Sequence, residues 1–126
     1  ELEALIAQLG LQDRVRLHGR VANPLKYFAR ARIYALSSYA EGMPNVLVEA
    51  MLCGCTPVAT DCRTGPRELL HDGRFGYLAT VGDPTSIAAA LRAAMADPIP
   101  PELLAEAVRP FEQNRVIDRH FALLGL

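Results

Sequence analysis

Apolar residues recur at two spacings along this chain, and the switches between them mark out its elements. Leu2, Leu5, Ile6 and Leu9 fall at i, i+3, i+4 and i+7, which predicts an amphipathic helix over residues 1–9 stopped by Gly10. Val15 to His18 alternates apolar and polar and predicts a strand ending at Gly19. Asn23-Pro24 pairs an N-cap with Pro at the first helical position, and Leu25, Phe28 and Ala29 give the helix that follows its apolar side. Ile33 to Leu36 is a continuous apolar run, expected of a strand buried on both faces of a parallel sheet. Pro57 to Thr60 predicts the next strand, residues 66–70 a short helix, His71-Asp72-Gly73 a turn, and Phe75 to Ala79 a strand containing Gly76. Asp83-Pro84 repeats the cap pattern before a helix striped by Ile87, Ala90, Leu91, Ala94 and Met95, which Pro98, Pro100 and Pro101 end. A short helix over 102–108 follows, then a last one striped by Val116, Ile117, His120, Phe121 and Leu124. Short apolar strands alternating with helices predict an α/β fold with a parallel sheet. In such sheets ligands bind beyond the carboxyl ends of the strands, so the loops at Gly19, at 37–41 and at 61–66 are expected to share one rim.

The stretch from Tyr39 to Arg67 carries the candidate chemistry. Pro44 suits the first turn of a helix, and Gly54 suits its end. Between them Val46, Leu47, Val48, Ala50, Met51 and Leu52 are apolar on every face, which predicts a helix buried on most sides. Glu49 is then an anomaly, because a carboxylate in a buried helix is costly without partners. Two readings follow: a structural acid paired with Arg63 or Arg67, or an acceptor of hydrogen bonds from a ligand's hydroxyls. The N–H groups of Asn45 to Leu47 offer an anion site at the helix start. Glu41 lies eight positions upstream of Glu49. An acid beside an anion site is expected to point away from it, toward a neutral polyol. Diol, anion and polyol binders in a row describe a nucleotide sugar.

Composition narrows the field. The 126 residues suffice for one domain with a core, and 51% of them are apolar. A formal net charge of −1, with no Trp, provides neither the field nor the stacking platform of a nucleic-acid binder. No apolar run is long enough to span a bilayer, and no signal peptide is evident. A cytoplasmic setting is therefore expected, with membrane-surface association of a larger parent left open. Cys53, Cys55 and Cys62 fit none of the usual zinc spacings and read as small thiols in a reducing compartment. His18, at a strand end, reads as a rim residue or a ligand neighbour.

With those residues in place, EGMPNVLVEAMLCGCTPVATD resembles the Glu–x7–Glu signature of retaining, nucleotide-sugar-dependent glycosyltransferases of the GT-B fold, most closely family 4. Upstream, VRLHGRVANPLKYFARARIYALSSYAEG resembles the family's strand, Gly loop, helix, strand and Ser-rich lead-in. Downstream, TDCRTGPRELLHDGRFGYLATVGDPTSIAAAL resembles its Gly-Pro loop, Gly-containing hairpin and following helix. The resemblance covers roughly residues 1 to 97. It implies that the chain is the donor-binding, Rossmann-like part of a GT-B enzyme. Glu41 would lie at the donor hexose, near its reacting face. Backbone groups of Gly42, Met43, Pro44, Asn45 and Val46 would line hexose and diphosphate, Glu49 would hold the ribose hydroxyls, and Gly19, Arg20 and Val21 would lie beside the base. Arg67 and Glu68 either pair or cap, or Arg67 meets a phosphate.

The resemblance also implies what lies elsewhere. Family members carry a Gly-Arg turn and a Lys before the region matching Glu1, and an acceptor domain before that; the chain opens on Glu1 rather than Met. Without those cations the diphosphate lacks charge-assisted bonds worth about 1.5–3 kcal/mol each, so the chain by itself is expected to bind donor weakly and not to turn over. The implied reaction moves a hexose from a nucleotide diphosphate to a hydroxyl with retention, in bacterial surface-glycan or lipid-linked glycan assembly. No cofactor is implied, and without an Asp-x-Asp pair no metal is needed to explain leaving-group stabilisation. Glu41 is either nucleophile or orienting group. The alternatives are a non-catalytic module that kept the fold, or a sugar-nucleotide epimerase or phosphorylase on the same scaffold.

Overall fold

The computed structural model describes residues 1–124, and His120, one of the final helix's predicted stripe, has a side chain outside the described residues. Three strands, β1 (Ile33–Leu36), β2 (Thr56–Thr60) and β3 (Tyr77–Ala79), form one sheet in the order β1-β2-β3. Both pairings are parallel, with Ile33 opposite Thr56 and Val58 opposite Tyr77. Around them lie α1 (Leu2–Gln8), α2 (Leu25–Phe28), α3 (Asn45–Leu52), α4 (Pro66–Leu69), α5 (Pro84–Ala96), α6 (Pro101–Val108) and α7 (Gln113–Leu124). Parallel neighbours cannot be joined by a tight turn, so each needs a crossover: α3 carries β1 to β2, and α4 with a 3-10 turn carries β2 to β3.

The period of two along the strands divides the core into two layers. Tyr34, Leu36, Ala59 and Leu78 face one way and pack with Leu47, Val48 and Met51 of α3, Leu70 and Phe75, and Leu104, Ala107 and Val108 of α6. Ile33, Val58, Tyr77 and Ala79 face the other way and meet Ile87, Ala90, Leu91 and Ala94 of α5. The central strand β2 is buried at all five positions. Asp83 caps α5 as its sequence predicts, its Oδ1 accepting from the N–H groups of Thr85 at 2.8 Å and Ser86 at 3.1 Å. Two polar groups seal the far end of α5 to the sheet: Tyr77 donates its hydroxyl to the Asp97 carbonyl at 2.5 Å, and the Ile99 N–H donates to buried Thr56 Oγ1 at 3.0 Å.

Several expectations change. Residues 15–18 are not a strand: Val15 donates back to the Leu11 carbonyl at 2.9 Å, and the segment has no ladder partner among the described residues, so Val15 and Leu17 stay 39% and 49% exposed. Alternation can propose a strand, but only a neighbouring strand makes one. β1 is an edge strand, half-buried with Ala35 exposed, rather than buried on both faces. β3 begins at Tyr77, because a Cβ at Gly76 would lie 2.6 Å from Pro57 Cγ; the glycine marks a close approach just before the strand. Met95 of the α5 stripe is exposed. The apolar positions of α7, Val116, Ile117, Phe121 and Leu124, are exposed too; that helix meets the body through the turn after α6.

Candidate functional site

At the carboxyl ends of the strands, two of the three loops expected to share a rim, 37–41 and 61–66, are held together; the Gly19 loop follows no strand. Buried Thr60 ends β2 and donates its hydroxyl to the Ser38 carbonyl at 2.5 Å, which pins the chain leaving β1. Ser38 in turn donates its hydroxyl to Glu41 Oε1 at 2.6 Å, fixing that carboxylate's direction. Thr64 donates to the Glu41 carbonyl at 2.5 Å. Next to it Gly65 holds φ +91°, and a Cβ there would lie 2.0 Å from the Gly42 carbonyl oxygen and 2.8 Å from Pro44 Cδ. Glycine is the one residue that lets the 61–66 loop close onto the Glu41–Pro44 loop.

Glu49 differs from its expected setting. It is exposed, not buried, because Asn45, Glu49 and Leu52 share the outward face of α3 at i, i+4 and i+7, and Leu52 is 66% exposed. Among the described residues the Glu49 carboxylate makes no hydrogen bond or ion pair, with Arg63, Arg67 or any other group. Its neighbour is Tyr34 of β1, half-buried and edge-on to Phe28 with ring centroids 5.1 Å apart. The Tyr34 hydroxyl is held above its ordinary pKa first by burial, then by the negative charges of Glu41 and Glu49.

The anion site at the start of α3 is narrower than expected. The Asn45 N–H is taken by the Met43 carbonyl and the Leu47 N–H by the Pro44 carbonyl, each at 2.9 Å. Val46, half-buried, retains an N–H without an acceptor among the described residues. Gly42, Met43 and Asn45 are exposed, and Pro44 is buried against Gly65. Arg67 is clamped by carboxylates: Nε and Nη2 grip Asp61, the former at 2.9 Å, and Nη1 donates to Asp72 at 3.0 Å. Those bonds raise its already high pKa and engage three of its donors, so the pairing side of the Arg67 alternative is the one realised, though with Asp61 and Asp72 rather than Glu68.

In the Gly19–Val21 loop, Gly19 holds φ +60°, Arg20 is exposed and Val21 half-buried. The His18 ring lies tilted against Tyr27 with centroids 4.9 Å apart, and Lys26 Nζ sits 5.1 Å from the centre of the Tyr27 ring. α2 carries this loop to α3, and Cys55 reinforces the contact by donating to the Phe28 and Ala31 carbonyls at 3.2 and 3.4 Å. Cys53, Cys55 and Cys62 are free thiols. Sequence reasoning missed Tyr34, Ser38, Thr60 and Thr64; the signal for the last three was a hydroxyl at each strand end or loop crossing. Two open cavities lie along the rim, one of about 440 Å³ lined by Asp61, Arg67, Thr80 and Ser86, the other of about 410 Å³ lined by Ser37, Tyr39, Ile87 and Leu91. Among the described residues no three His, Cys, Asp or Glu side chains gather, and no helix is long and apolar enough to cross a membrane.

A parallel sheet covered by helices on both faces, with interlocked loops and two carboxylates at its carboxyl rim, defines the Rossmann-like half of a GT-B fold. The chain belongs to the family described as Glycosyl transferases group 1, whose model matches residues 1–97. It is 41% identical over 97 residues to the N-acetylgalactosamine-N,N'-diacetylbacillosaminyl-diphospho-undecaprenol 4-alpha-N-acetylgalactosaminyltransferase of Campylobacter jejuni, covering 77% of this chain and 27% of that protein. It is 30% identical over 129 residues to the lipopolysaccharide core biosynthesis glycosyltransferase LpsE of Rhizobium meliloti, covering 98% of this chain and 38% of the relative. Among solved structures it is similar to HepE of Anabaena in complex with UDP and glucose, with a TM-score of 0.86, 30% identity, and coverage of 98% of this chain and 35% of that one. The chain therefore spans between about a quarter and two fifths of the length of these relatives.

Proposed function

We propose that this chain is the donor-binding part of a larger glycosyltransferase that takes a hexose from a nucleotide diphosphate sugar and delivers it, with retention, to a hydroxyl of a bacterial glycan acceptor. One observation carries the reading: Glu49 stands exposed on α3, its carboxylate without a partner among the described residues, while the carboxylate of Glu41 is oriented by Ser38. A carboxylate with all its acceptor positions open suits the adjacent hydroxyls of a ribose. Glu41, oriented by Ser38, takes the hexose side, as nucleophile or as orienting group. Gly42, Met43 and Val46 line hexose and diphosphate, the Val46 N–H being the α3 donor left for an oxyanion. Gly19, Arg20 and Val21 take the base. The complex of HepE with UDP and glucose, and the Campylobacter relative named for transfer to a diphospho-undecaprenol-linked sugar, support donor class and pathway respectively. The reaction needs neither cofactor nor metal on this reading, runs in the cytoplasm, and relies on an acceptor domain outside this chain.

The exposure of Glu49 also favours a second reading. An exposed acid costs little to keep without a ligand, so a non-catalytic module of the same fold is not penalised by it. The full-length parent decides between them. Assayed for nucleotide release with several donors, it is expected to turn over, and Glu49→Gln is expected to raise the donor KM about tenfold, the loss of a charge-assisted hydrogen bond. Absence of release with every donor, from a folded parent, supports the non-catalytic module.

A further inference from the structure

The strand β2 carries the two buried polar side chains found among the described residues, a threonine at each end. Thr56 and Thr60 are each 1% exposed. A buried hydroxyl is costly unless it is hydrogen-bonded, and valine offers the same branched shape without one. Both hydroxyls are bonded, and to different ends. Thr56, at the amino end, accepts from the Ile99 N–H and ties the chain after α5 to the sheet. Thr60, at the carboxyl end, donates to the Ser38 carbonyl at 2.5 Å, with the Leu36 carbonyl 3.4 Å away. Ser38 is the residue whose hydroxyl holds Glu41 Oε1 at 2.6 Å.

Glu41 is thus held at two points from the end of one strand. Its carboxylate rests on Ser38, which rests on Thr60. Its carbonyl accepts from Thr64, four residues beyond Thr60 on the same chain. All three donors are hydroxyls, and a neutral donor orients a carboxylate without cancelling its charge. The guanidinium that follows this loop, Arg67, is taken up by Asp61 and Asp72 instead. Glu41 Oε2 has no partner among the described residues.

We propose that Thr60 is a positioning residue of the glycosyl transfer. From the end of the central strand, and through Ser38, it sets the Glu41 carboxylate so that Oε2 is left for the hexose. The strand beneath it is buried at all five positions, so the anchor does not drift as an exposed loop would. A group misplaced by about 1 Å in a reacting site loses on the order of a hundredfold in rate, which gives such an anchor its value. The catalytic role rests on the glycosyltransferase reading above; the relay from Thr60 to Glu41 does not.

The test uses the parent with Thr60→Val, Thr60→Ser and, as a control at the other end of β2, Thr56→Val. Thr60→Val removes the hydroxyl and keeps the shape. It is expected to lower kcat at least about tenfold while affinity for UDP, which lacks the hexose, stays within about twofold. Thr60→Ser keeps the hydroxyl and is expected to recover most of the kcat. Thr56→Val also loses a buried hydrogen bond, seen by chemical denaturation, yet is expected to hold kcat within about twofold. In a Ser38→Ala background, Thr60→Val is expected to cost little more, because the relay is already cut. Unchanged kcat in Thr60→Val, equal kcat losses in Thr60→Val and Thr56→Val, or losses that multiply with Ser38→Ala overturn the proposal. Hydrogen exchange on the same proteins needs no turnover. Amides of residues 38–43 are expected to exchange faster in Thr60→Val than in Thr56→Val, and equal exchange overturns the relay. A parent that releases no nucleotide yet shows this difference contradicts the glycosyltransferase reading and supports the relay.

Discussion

Gly65 sits where two loops meet, with φ +91° and the Gly42 carbonyl occupying the space a side chain would need. Neither loop can yield cheaply, since Thr64 holds the Glu41 carbonyl and Pro44 is buried. Gly65→Ala is therefore expected to lose more than about 2 kcal/mol of stability, through steric overlap and a backbone conformation that disfavours a Cβ. Chemical denaturation checks it; a loss within about 0.5 kcal/mol, as for an ordinary surface site, would mean the two loops are not interlocked. At the same scale, Glu49 shows how a residue can be singled out for a reason the fold does not supply. Its sequence neighbours are apolar, which argued for burial, yet α3 buries Leu47, Val48, Ala50 and Met51 and leaves Asn45, Glu49 and Leu52 outside. What remains is a Glu49 carboxylate with no partner among the described residues, and a Glu41 carboxylate anchored by Ser38.

Elements whose signals are local were legible; those defined by a partner were not. The Asp83-Pro84 cap is realised to the bond, and Asp83→Ala is expected to lower stability by about 1 kcal/mol, seen as a fall in the thermal midpoint, with no change if the two cap bonds are idle. Asn23 likewise accepts from the Leu25 N–H at 3.1 Å. The strands β1 and β2 stand close to where apolar runs place them. Residues 15–18 carry the same kind of signal and form no strand, because a ladder needs a neighbour that no local pattern names. The apolar stripe of α7 is real as a pattern, yet the pattern states that a face will be covered, not by what, and the described residues leave it exposed. In α3 the apolar residues on either side of Glu49, Leu52 on its own face among them, masked the outward face that Asn45 and Glu49 mark at i and i+4.

For the whole molecule, one sheet with a core on each side presents its functional groups at the rim beyond the strands. The Glu41–Gly65 interlock lies at that end. Within a near-neutral total charge, Glu49 stands exposed on α3. The parent supplies the rest, and it is the protein in which the donor claim is best tested. The most direct measurement is a binding cycle: affinity of the parent for UDP and for its 2′,3′-dideoxy analogue, each with wild-type Glu49 and with Glu49→Gln. The account predicts that the wild type prefers UDP by about tenfold and that the variant loses most of that preference, a coupling of about 1.4 kcal/mol between carboxylate and ribose hydroxyls. Equal discrimination by both proteins would contradict it.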